Sequence, residues 1–186
     1  MTTHIAPLLT VDDLDLMPDD GNRYELIEGE IFMSRAPGLT HQIVSTNILG
    51  HLLQYLYTNP IGLAVATPGV VFNEYNGVIP DIVFISNERR GEIASTERIT
   101  GAPDIVIEIV SPGAENERRD HVVKRQLYSK FGVKEYWVVD PGSRTVEIYR
   151  LRDGVLDLAA TLTGQDEITS PLLPGFICEA AVIFRI

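Results

Sequence analysis

"PDIVIEIVSPGAENERRDHVVKRQLYSKFG", residues 103–132, joins an apolar run to a charged segment with helical spacing. The run at 103–111 places aliphatic side chains on both of its faces, which is typical of a strand in the middle of a sheet. Residues 114–131 predict a helix that packs back on that strand. Each element carries one charged residue among aliphatic neighbours, Glu108 in the strand and Lys124 in the helix. These two residues are candidates for one shared site.

The rest of the chain supplies further strands and one more long helix. The patterns predict a short capped helix at 10–14, a hairpin in "YELIEGEIFM", a helix over 40–57, strands at 62–66, 69–73 and 78–85, and strands in "EYWVVD", "TVEIYRL" and "VLDLAATL". This order of elements indicates a mixed α/β protein with a central sheet and helices packed on it. With 186 residues and 45% hydrophobic composition, we expect residues 1–186 to form a single domain.

Composition excludes several classes of protein. No apolar run reaches the roughly 18 residues of a membrane span and the first residues are not basic, so we expect no membrane contact and a cytoplasmic location. Cys178 is the only cysteine, which excludes an internal disulfide and a cysteine metal site.

The net charge of -11 opposes non-specific attraction to polyanions, so nucleic-acid binding would depend on local basic regions. Two such groups are predicted to be exposed, the first beside a loop and the second on a helix: Arg89, Arg90 and Arg98, then Arg118, Arg119 and Arg125. Ordinary solvated charge is the alternative interpretation of both groups.

Two acidic residues interrupt aliphatic strand faces. Alternation places Asp81 on one face of the predicted strand at 78–85. It places Glu108 between Val106 and Val110 on one face of the predicted strand at 103–111. A buried carboxylate is costly unless it meets a cation, a hydrogen-bond donor or a metal. Two interpretations are open: structural ion pairs, or carboxylates that share a hard divalent cation such as Mg²⁺.

A Pro-Asp dipeptide occurs twice, at Pro80-Asp81 and at Pro103-Asp104. Asp104 and Glu108 are separated by four residues of one strand, roughly 13 Å at about 3.3 Å per residue, which is too far for one ion. Asp104 is therefore expected to start its strand, and Asp81 is the predicted partner of Glu108.

Lys124 falls inside the apolar arc of the predicted helix, which contains Val123, Leu127, Tyr128 and Phe131. A lysine that faces a core is uncommon unless it is paired. We expect Lys124 to reach the carboxylates at the end of the Glu108 strand. The alternative is a pair with Asp120 four residues earlier, on the same helix.

Pro80-Asp81, Glu108-Ile109-Val110 and Lys124 resemble the PD-(D/E)XK nuclease superfamily, in the variant whose lysine has moved to the following helix. Val110 occupies the usual lysine position. The segments "YELIEGEI", "HQIVSTNILGHLL", "VIPDIVFIS", "PDIVIEIVSP", "KRQLYSKFGVKEYWVVDP" and "LPGF" together resemble the Uma-two type, a large bacterial family of restriction-endonuclease-like proteins.

The resemblance implies a restriction-endonuclease-like αβββαβ core at about residues 24–151, with additional strands at both ends, and metal-dependent hydrolysis of phosphodiester bonds in DNA. Asp81, Glu108 and the backbone carbonyl of Ile109 would bind Mg²⁺ or Mn²⁺. Lys124 would orient the attacking water or offset charge on the phosphate. Tyr128 either aligns Lys124 or is ordinary packing.

The chain departs from the superfamily in its first core helix, where residues 40–57 contain no acidic residue. Glu25, Glu28 and His41 are alternative ligands, and His41 is equally explained by bonding to the helix backbone. A second function class stays open: an inactive nuclease-fold module that binds nucleic acid or protein. A homodimer is expected if the protein cuts both strands, with "TVEIYRL" and "VLDLAATL" as a candidate interface.

Overall fold

The structure is a computed structural model that describes residues 7–186, apart from the side chains at positions 114 and 115. Its elements are α1 (Val11–Leu14), β1 (Arg23–Ile27), β2 (Glu30–Ser34), α2 (Leu39–Thr58), β3 (Gly62–Ala66), β4 (Val70–Asn73), β5 (Asn76–Val78), β6 (Ile82–Ser86), α3 (Asn87–Ile93), β7 (Ile99–Thr100), β8 (Ile105–Ile109), α4 (Ala114–Arg118), a π-helical segment (Arg119–Lys124), α5 (Arg125–Phe131), β9 (Glu135–Asp140), β10 (Thr145–Arg152), β11 (Val155–Thr163), β12 (Glu167–Ser170), β13 (Leu173–Glu179) and α6 (Ala180–Ile183).

A six-stranded mixed sheet forms the centre, in the order β11-β10-β9-β8-β6-β3. Strands β8 and β9 are parallel, and the other neighbours are antiparallel. A parallel pair needs a crossover connection, which α4, the π-helical segment and α5 supply. The succession α2-β3-β6-β8-helix-β9 is the predicted αβββαβ core, so the predicted fold class is confirmed.

Additional strands lie at both ends of the core, as predicted. Near the N-terminus, β1 and β2 form an antiparallel hairpin and join a second sheet in the order β2-β1-β5-β4-β7. The hairpin turns at Glu28 and Gly29, whose φ angles of 53° and 77° match a two-residue turn with both central residues left-handed. Near the C-terminus, β12 and β13 form a two-stranded sheet.

The central sheet is buried on both faces. One face contributes Ile82, Phe84, Ile105, Ile107 and Ile109 to a core shared with Val44, Ile48, Leu52 and Leu56 of α2. The other face contributes Val83, Ile85, Val106 and Val110 to a core shared with Leu127 and Tyr128 of α5. Asp81 and Glu108 belong by alternation to this second face, so the crossover helix covers them.

The prediction of one continuous strand over 78–85 is wrong. Strand β5 ends at Val78 in the second sheet, and β6 begins at Ile82 in the central sheet. Pro80 lacks the N–H that a continuous ladder would need, so the chain changes sheets there. Asp81 therefore lies at the entry to β6 rather than inside a strand.

The predicted helix over 114–131 contains a π-helical segment in its middle. A π-helix hydrogen-bonds residues five apart, so it places side chains i and i+5 on one side. Arg119 and Lys124 stand in this relation, and Arg119 turns inward with its side chain only 14% exposed. The prediction that Arg119 is exposed is therefore wrong.

None of the helices within residues 7–186 has both the length and the apolar character to cross a membrane.

Candidate active site

A cavity of about 390 Å³ opens where β6 begins and β8 ends. Its lining includes four carboxylates and four cationic side chains: Glu25, Asp81, Glu108 and Asp120, then Arg23, Arg35, Arg119 and Lys124. The cavity therefore combines Asp81, Glu108 and Lys124, which come from three different elements.

Strand register brings the two predicted acids together. In the antiparallel β6–β8 pair, Ile82 lies opposite Ile107, and extending that register by one residue places Asp81 opposite Glu108. The backbone N–H of Ile109 donates to Oδ2 of Asp81 over 2.9 Å. Asp81 is thus fixed beside the end of β8 that carries Glu108. The sequence predicted that Asp81, and not Asp104, would lie near Glu108.

Asp81 is buried and held from two further sides. Nε2 of His41 lies 3.1 Å from Oδ2, and Nη1 of Arg23 lies 3.5 Å from Oδ1. Burial raises the pKa of Asp81, but His41, the Ile109 N–H and the charge of Lys124 outweigh burial and bring the pKa below its ordinary value. Asp81 is therefore ionised at neutral pH.

Glu108 is buried with 3% exposure and accepts two hydrogen bonds on the same oxygen. Nζ of Lys124 donates to Oε1 over 2.9 Å, and the hydroxyl of Tyr128 donates to it over 2.6 Å. Burial raises the pKa of Glu108 to about 8, because the opposing effect of Lys124 is partly cancelled by nearby carboxylates, Asp81 among them. A cation added to this cavity would favour the ionised form.

Lys124 bridges two carboxylates. Its Nζ lies 2.9 Å from Oε1 of Glu108 and 3.0 Å from Oε1 of Glu25, and the lysine is 3% exposed. Burial lowers the pKa of Lys124, but the surrounding carboxylates, led by Glu108, raise it above its ordinary value. The ion pairs of Lys124 thus run to the strands, and the predicted alternative, a pair with Asp120, is not what holds it.

Asp104 plays a separate structural part. It directly precedes β8, accepts the backbone N–H of Ser86 over 2.8 Å and pairs with Nζ of Lys134 over 2.6 Å. Its carboxylate fixes the entry of β8, at the opposite end of that strand from Glu108.

A family model, Uma2, described as "Putative restriction endonuclease", matches residues 11–181. The chain belongs to the Uma2 family. A crystal structure titled as a "putative nuclease belonging to DUF820" from Anabaena variabilis ATCC 29413 is similar to this Uma2 protein, with a TM-score of 0.76 and 20% sequence identity. The alignment covers 95% of this chain and 97% of that chain. At this identity the likeness shows a shared fold. No curated protein matches the chain.

Of the three alternative ligands considered for this Uma2 protein, two lie in the cavity. Glu25 accepts the backbone N–H of Ile79 and pairs with Lys124, and His41 contacts Asp81. His41 therefore does more than bond to the backbone of its own helix. Glu28 lies outside the cavity, where its exposed carboxylate pairs with Lys130.

Sequence reasoning missed Arg23 and Arg119 as cavity residues and treated Asp120 only as a partner for Lys124. Alternation along β1 places Arg23 on the same side as Glu25, so the strand pattern contained a signal for Arg23. Arg119 had none, because a straight helical wheel does not anticipate a π turn. Tyr128, for which packing was one interpretation, donates its hydroxyl directly to Glu108.

The donor set of the Uma2 cavity fits a hard cation. Carboxylate oxygens are the ligands that Mg²⁺ takes. The pKa values of Glu108 and Asp120 are raised first by burial and then by neighbouring carboxylates. Both hydrogen bonds to Glu108 end on Oε1, which leaves Oε2 for another ligand. Across residues 7–186, no three His, Cys, Asp or Glu residues are arranged as a metal site. A metal here would depend on two carboxylates and a backbone carbonyl.

Proposed function

We propose that the chain is a metal-dependent endonuclease that hydrolyses phosphodiester bonds in DNA. The observation that carries the proposal is the joining of Asp81, Glu108 and Lys124 in one cavity, through the Ile109 N–H and the Lys124–Glu108 ion pair. Membership of a family described as "Putative restriction endonuclease" also supports the proposal.

Asp81, Glu108 and the carbonyl of Ile109 would hold Mg²⁺ or Mn²⁺. When bound, the metal supplies a Lewis acid for the scissile phosphate and lowers the pKa of a coordinated water. His41 and Arg23 keep Asp81 oriented, and Tyr128 and Lys124 both bond Oε1 of Glu108, which leaves Oε2 for the metal.

Lys124 acts in this proposal through the positive charge of its ammonium group. Its ammonium lies at the floor of the cavity, close to Glu108, where it orients the attacking water or offsets charge that develops on the phosphate. Glu25 anchors the lysine from the second sheet, so its position does not depend on Glu108 alone.

An inactive binding module is the second candidate, and a specific observation favours it. Asp81 already contacts His41 and Arg23, and Glu108 already contacts Lys124, so the carboxylates have cationic partners without a metal. Under this alternative the cavity is a structural ion-pair cluster, and DNA or protein binds elsewhere.

Cleavage of supercoiled plasmid in Mg²⁺ or Mn²⁺ separates the two functions. We expect nicking by the wild type and its loss in Glu108→Gln and Lys124→Met. Glu135→Gln is the matched control, since Glu135 is equally buried but pairs with Arg150 outside the cavity. Equal cleavage by Glu108→Gln and the wild type would contradict the endonuclease proposal. Absence of cleavage together with absence of saturable Mn²⁺ binding would favour the binding module.

A homodimer would let two cavities act on the two strands of a duplex. Strand β11 lies at an edge of the central sheet, and its Val155 and Leu158 are exposed. We propose the β10–β11 hairpin as the contact, testable by measuring the mass in solution of the wild type and of Leu158→Glu. A wild-type monomer at micromolar concentration would contradict this arrangement.

A further inference from the structure

Arg119 is a cation of the cavity whose hydrogen-bonding capacity is not used by the ion pairs around it. Its side chain is 14% exposed, and its buried Nε has no hydrogen-bond partner in the part of the chain that the structure describes. The closest carboxylate oxygen is Oδ1 of Asp120 at 3.6 Å, too long for a hydrogen bond. Arg119 forms a long ion pair with Asp120 that leaves its Nε–H without a hydrogen-bond acceptor.

Two of the other cations of the cavity are engaged, and a further one, Arg35, is exposed. Lys124 is bonded to Glu108 and contacts Glu25 over 3.0 Å, and Arg23 contacts Asp81. Burying a polar group without a hydrogen bond costs free energy, and native proteins satisfy nearly all such groups. An exception that faces a functional cavity calls for a ligand that supplies the missing acceptor.

The π-helical segment explains why this arginine faces the cavity at all. Regular helical spacing would carry Arg119 away from Lys124, whereas the π turn brings these two residues onto one side. Burial lowers the pKa of Arg119, but nearby carboxylates, led by Asp120, raise it overall, which keeps the guanidinium charged. The backbone irregularity thus delivers a permanent cation to the cavity.

We propose that the guanidinium of Arg119 binds the non-bridging oxygens of a phosphate in the substrate strand, a role that rests on the proposed function and adds a substrate-binding residue to it. A guanidinium presents its N–H groups as a planar fork that matches two phosphate oxygens, which an ammonium does not. Arg119 and Lys124 therefore divide the work: Arg119 holds the strand, and Lys124 acts on the reacting water or phosphate.

Binding of a fluorescent DNA duplex, measured by anisotropy with Ca²⁺ in place of Mg²⁺, tests this without cleavage. We expect Arg119→Gln to bind about 10- to 100-fold more weakly than the wild type, as loss of a charge-assisted hydrogen bond predicts. Arg185→Gln is the matched control, because it removes the same charge from an exposed position outside the cavity. Equal affinities of Arg119→Gln and Arg185→Gln would overturn the proposal.

A duplex with one methylphosphonate linkage identifies the contact directly, since the methyl group replaces a non-bridging oxygen and removes the charge. Scanned along the strand, the substitution should weaken wild-type binding most at one linkage and should have no effect there on Arg119→Gln. Equal losses in both proteins at every linkage would overturn the proposal.

Thermal unfolding separates this role from a structural one. Because the contact of Nε with Asp120 is long, at 3.6 Å, and is not a hydrogen bond, Arg119→Gln should change the unfolding temperature little. If it instead fails to fold, Arg119→Lys keeps the charge beside Asp120 and should still lose affinity, and wild-type affinity of a folded Arg119→Lys would then overturn the proposal.

The two proposals fail separately. Binding that depends on Arg119, with no cleavage in Mg²⁺ or Mn²⁺, would reject the endonuclease and retain the phosphate contact. Cleavage that depends on Glu108, with no effect of Arg119→Gln on binding, would do the reverse.

Discussion

Lys124 on the crossover helix and Glu108 at the end of β8 form a buried ion pair with 2.9 Å between Nζ and Oε1. Oε1 of Glu25, from the second sheet, lies 3.0 Å from the same ammonium, so one lysine ties a helix to two sheets. Breaking a buried pair leaves an uncompensated charge, whereas removing both partners does not. Comparing the stability of a variant that lacks one partner with that of a variant that lacks both therefore tests the ion pair directly.

Lys124→Met should lower the free energy of unfolding by about 3–5 kcal/mol, the usual cost of leaving buried charge without its partner. The double variant Lys124→Met, Glu108→Gln should recover part of that loss. Urea unfolding at pH 9, where Glu108 with its pKa of about 8 is ionised, measures both. Lys130→Met removes an exposed lysine that pairs with Glu28, and it should change stability little. A Lys124→Met protein as stable as the wild type would show that the pair is not a structural element.

Tyr128→Phe should reduce stability by about 1–3 kcal/mol, because the hydroxyl that bonds Glu108 over 2.6 Å is lost while the ring stays packed. We also expect slower cleavage, since Glu108 loses the contact that fixes its rotamer. Tyr136→Phe is the control: Tyr136 is equally buried, but its hydroxyl donates to the backbone of Asp120. Equal cleavage rates of Tyr128→Phe and Tyr136→Phe would contradict a role for the Tyr128 hydroxyl in positioning Glu108.

Affinity for Mn²⁺ should rise with pH. The pKa of Glu108 is raised to about 8 by burial, so protons compete with the metal below that pH. Each unit of pH below 8 should weaken binding by up to about tenfold, and affinity should level off above it. Calorimetry in buffers of different ionisation enthalpy should register proton release at pH 7. A pH-independent affinity between pH 6 and 8 would contradict a role for Glu108 as ligand.

The two Pro-Asp dipeptides should behave differently. Asp81→Asn should abolish saturable Mn²⁺ binding, because Asp81 lies opposite Glu108 in the cavity. Asp104→Asn should bind the metal as the wild type does, although it weakens the contact with Lys134 and the entry of β8. Loss of metal binding in both folded variants would contradict the assignment of Asp81 as the partner of Glu108.

Much of the candidate site could be predicted from periodicity. The period of two placed Asp81 and Glu108 on the side of the sheet that the crossover helix covers, and the period of 3.6 placed Lys124 inward. Glu108 lies in regular strand, whereas Asp81 directly precedes β6 and Lys124 ends the π-helical segment, and both still face the cavity. Predicting which of two Pro-Asp dipeptides joins Glu108 needed only the length of a strand.

The errors arose where the backbone departs from regularity. The run at 78–85 is apolar both where it ends the second sheet and where it enters the central sheet. Hydrophobicity alone therefore did not reveal the change of sheet at Pro80. Arg119 was placed outside because one regular helical wheel over 114–131 misplaces the residues on one side of a π turn relative to those on the other, and no residue type marks such a turn. Glu25 was only one of several alternatives, since its approach to Lys124 depends on how the second sheet packs against the first.

The central claim is that Asp81 and Glu108 form one divalent-metal site. Anomalous scattering from crystals grown with Mn²⁺ tests it most directly. We expect a single peak roughly 2.0–2.4 Å from an oxygen of each carboxylate and from the carbonyl of Ile109, within the range of hard-cation ligand distances. An anomalous peak only at another place would contradict the account. So would a cavity without an anomalous peak in which Lys124 still pairs with Glu108.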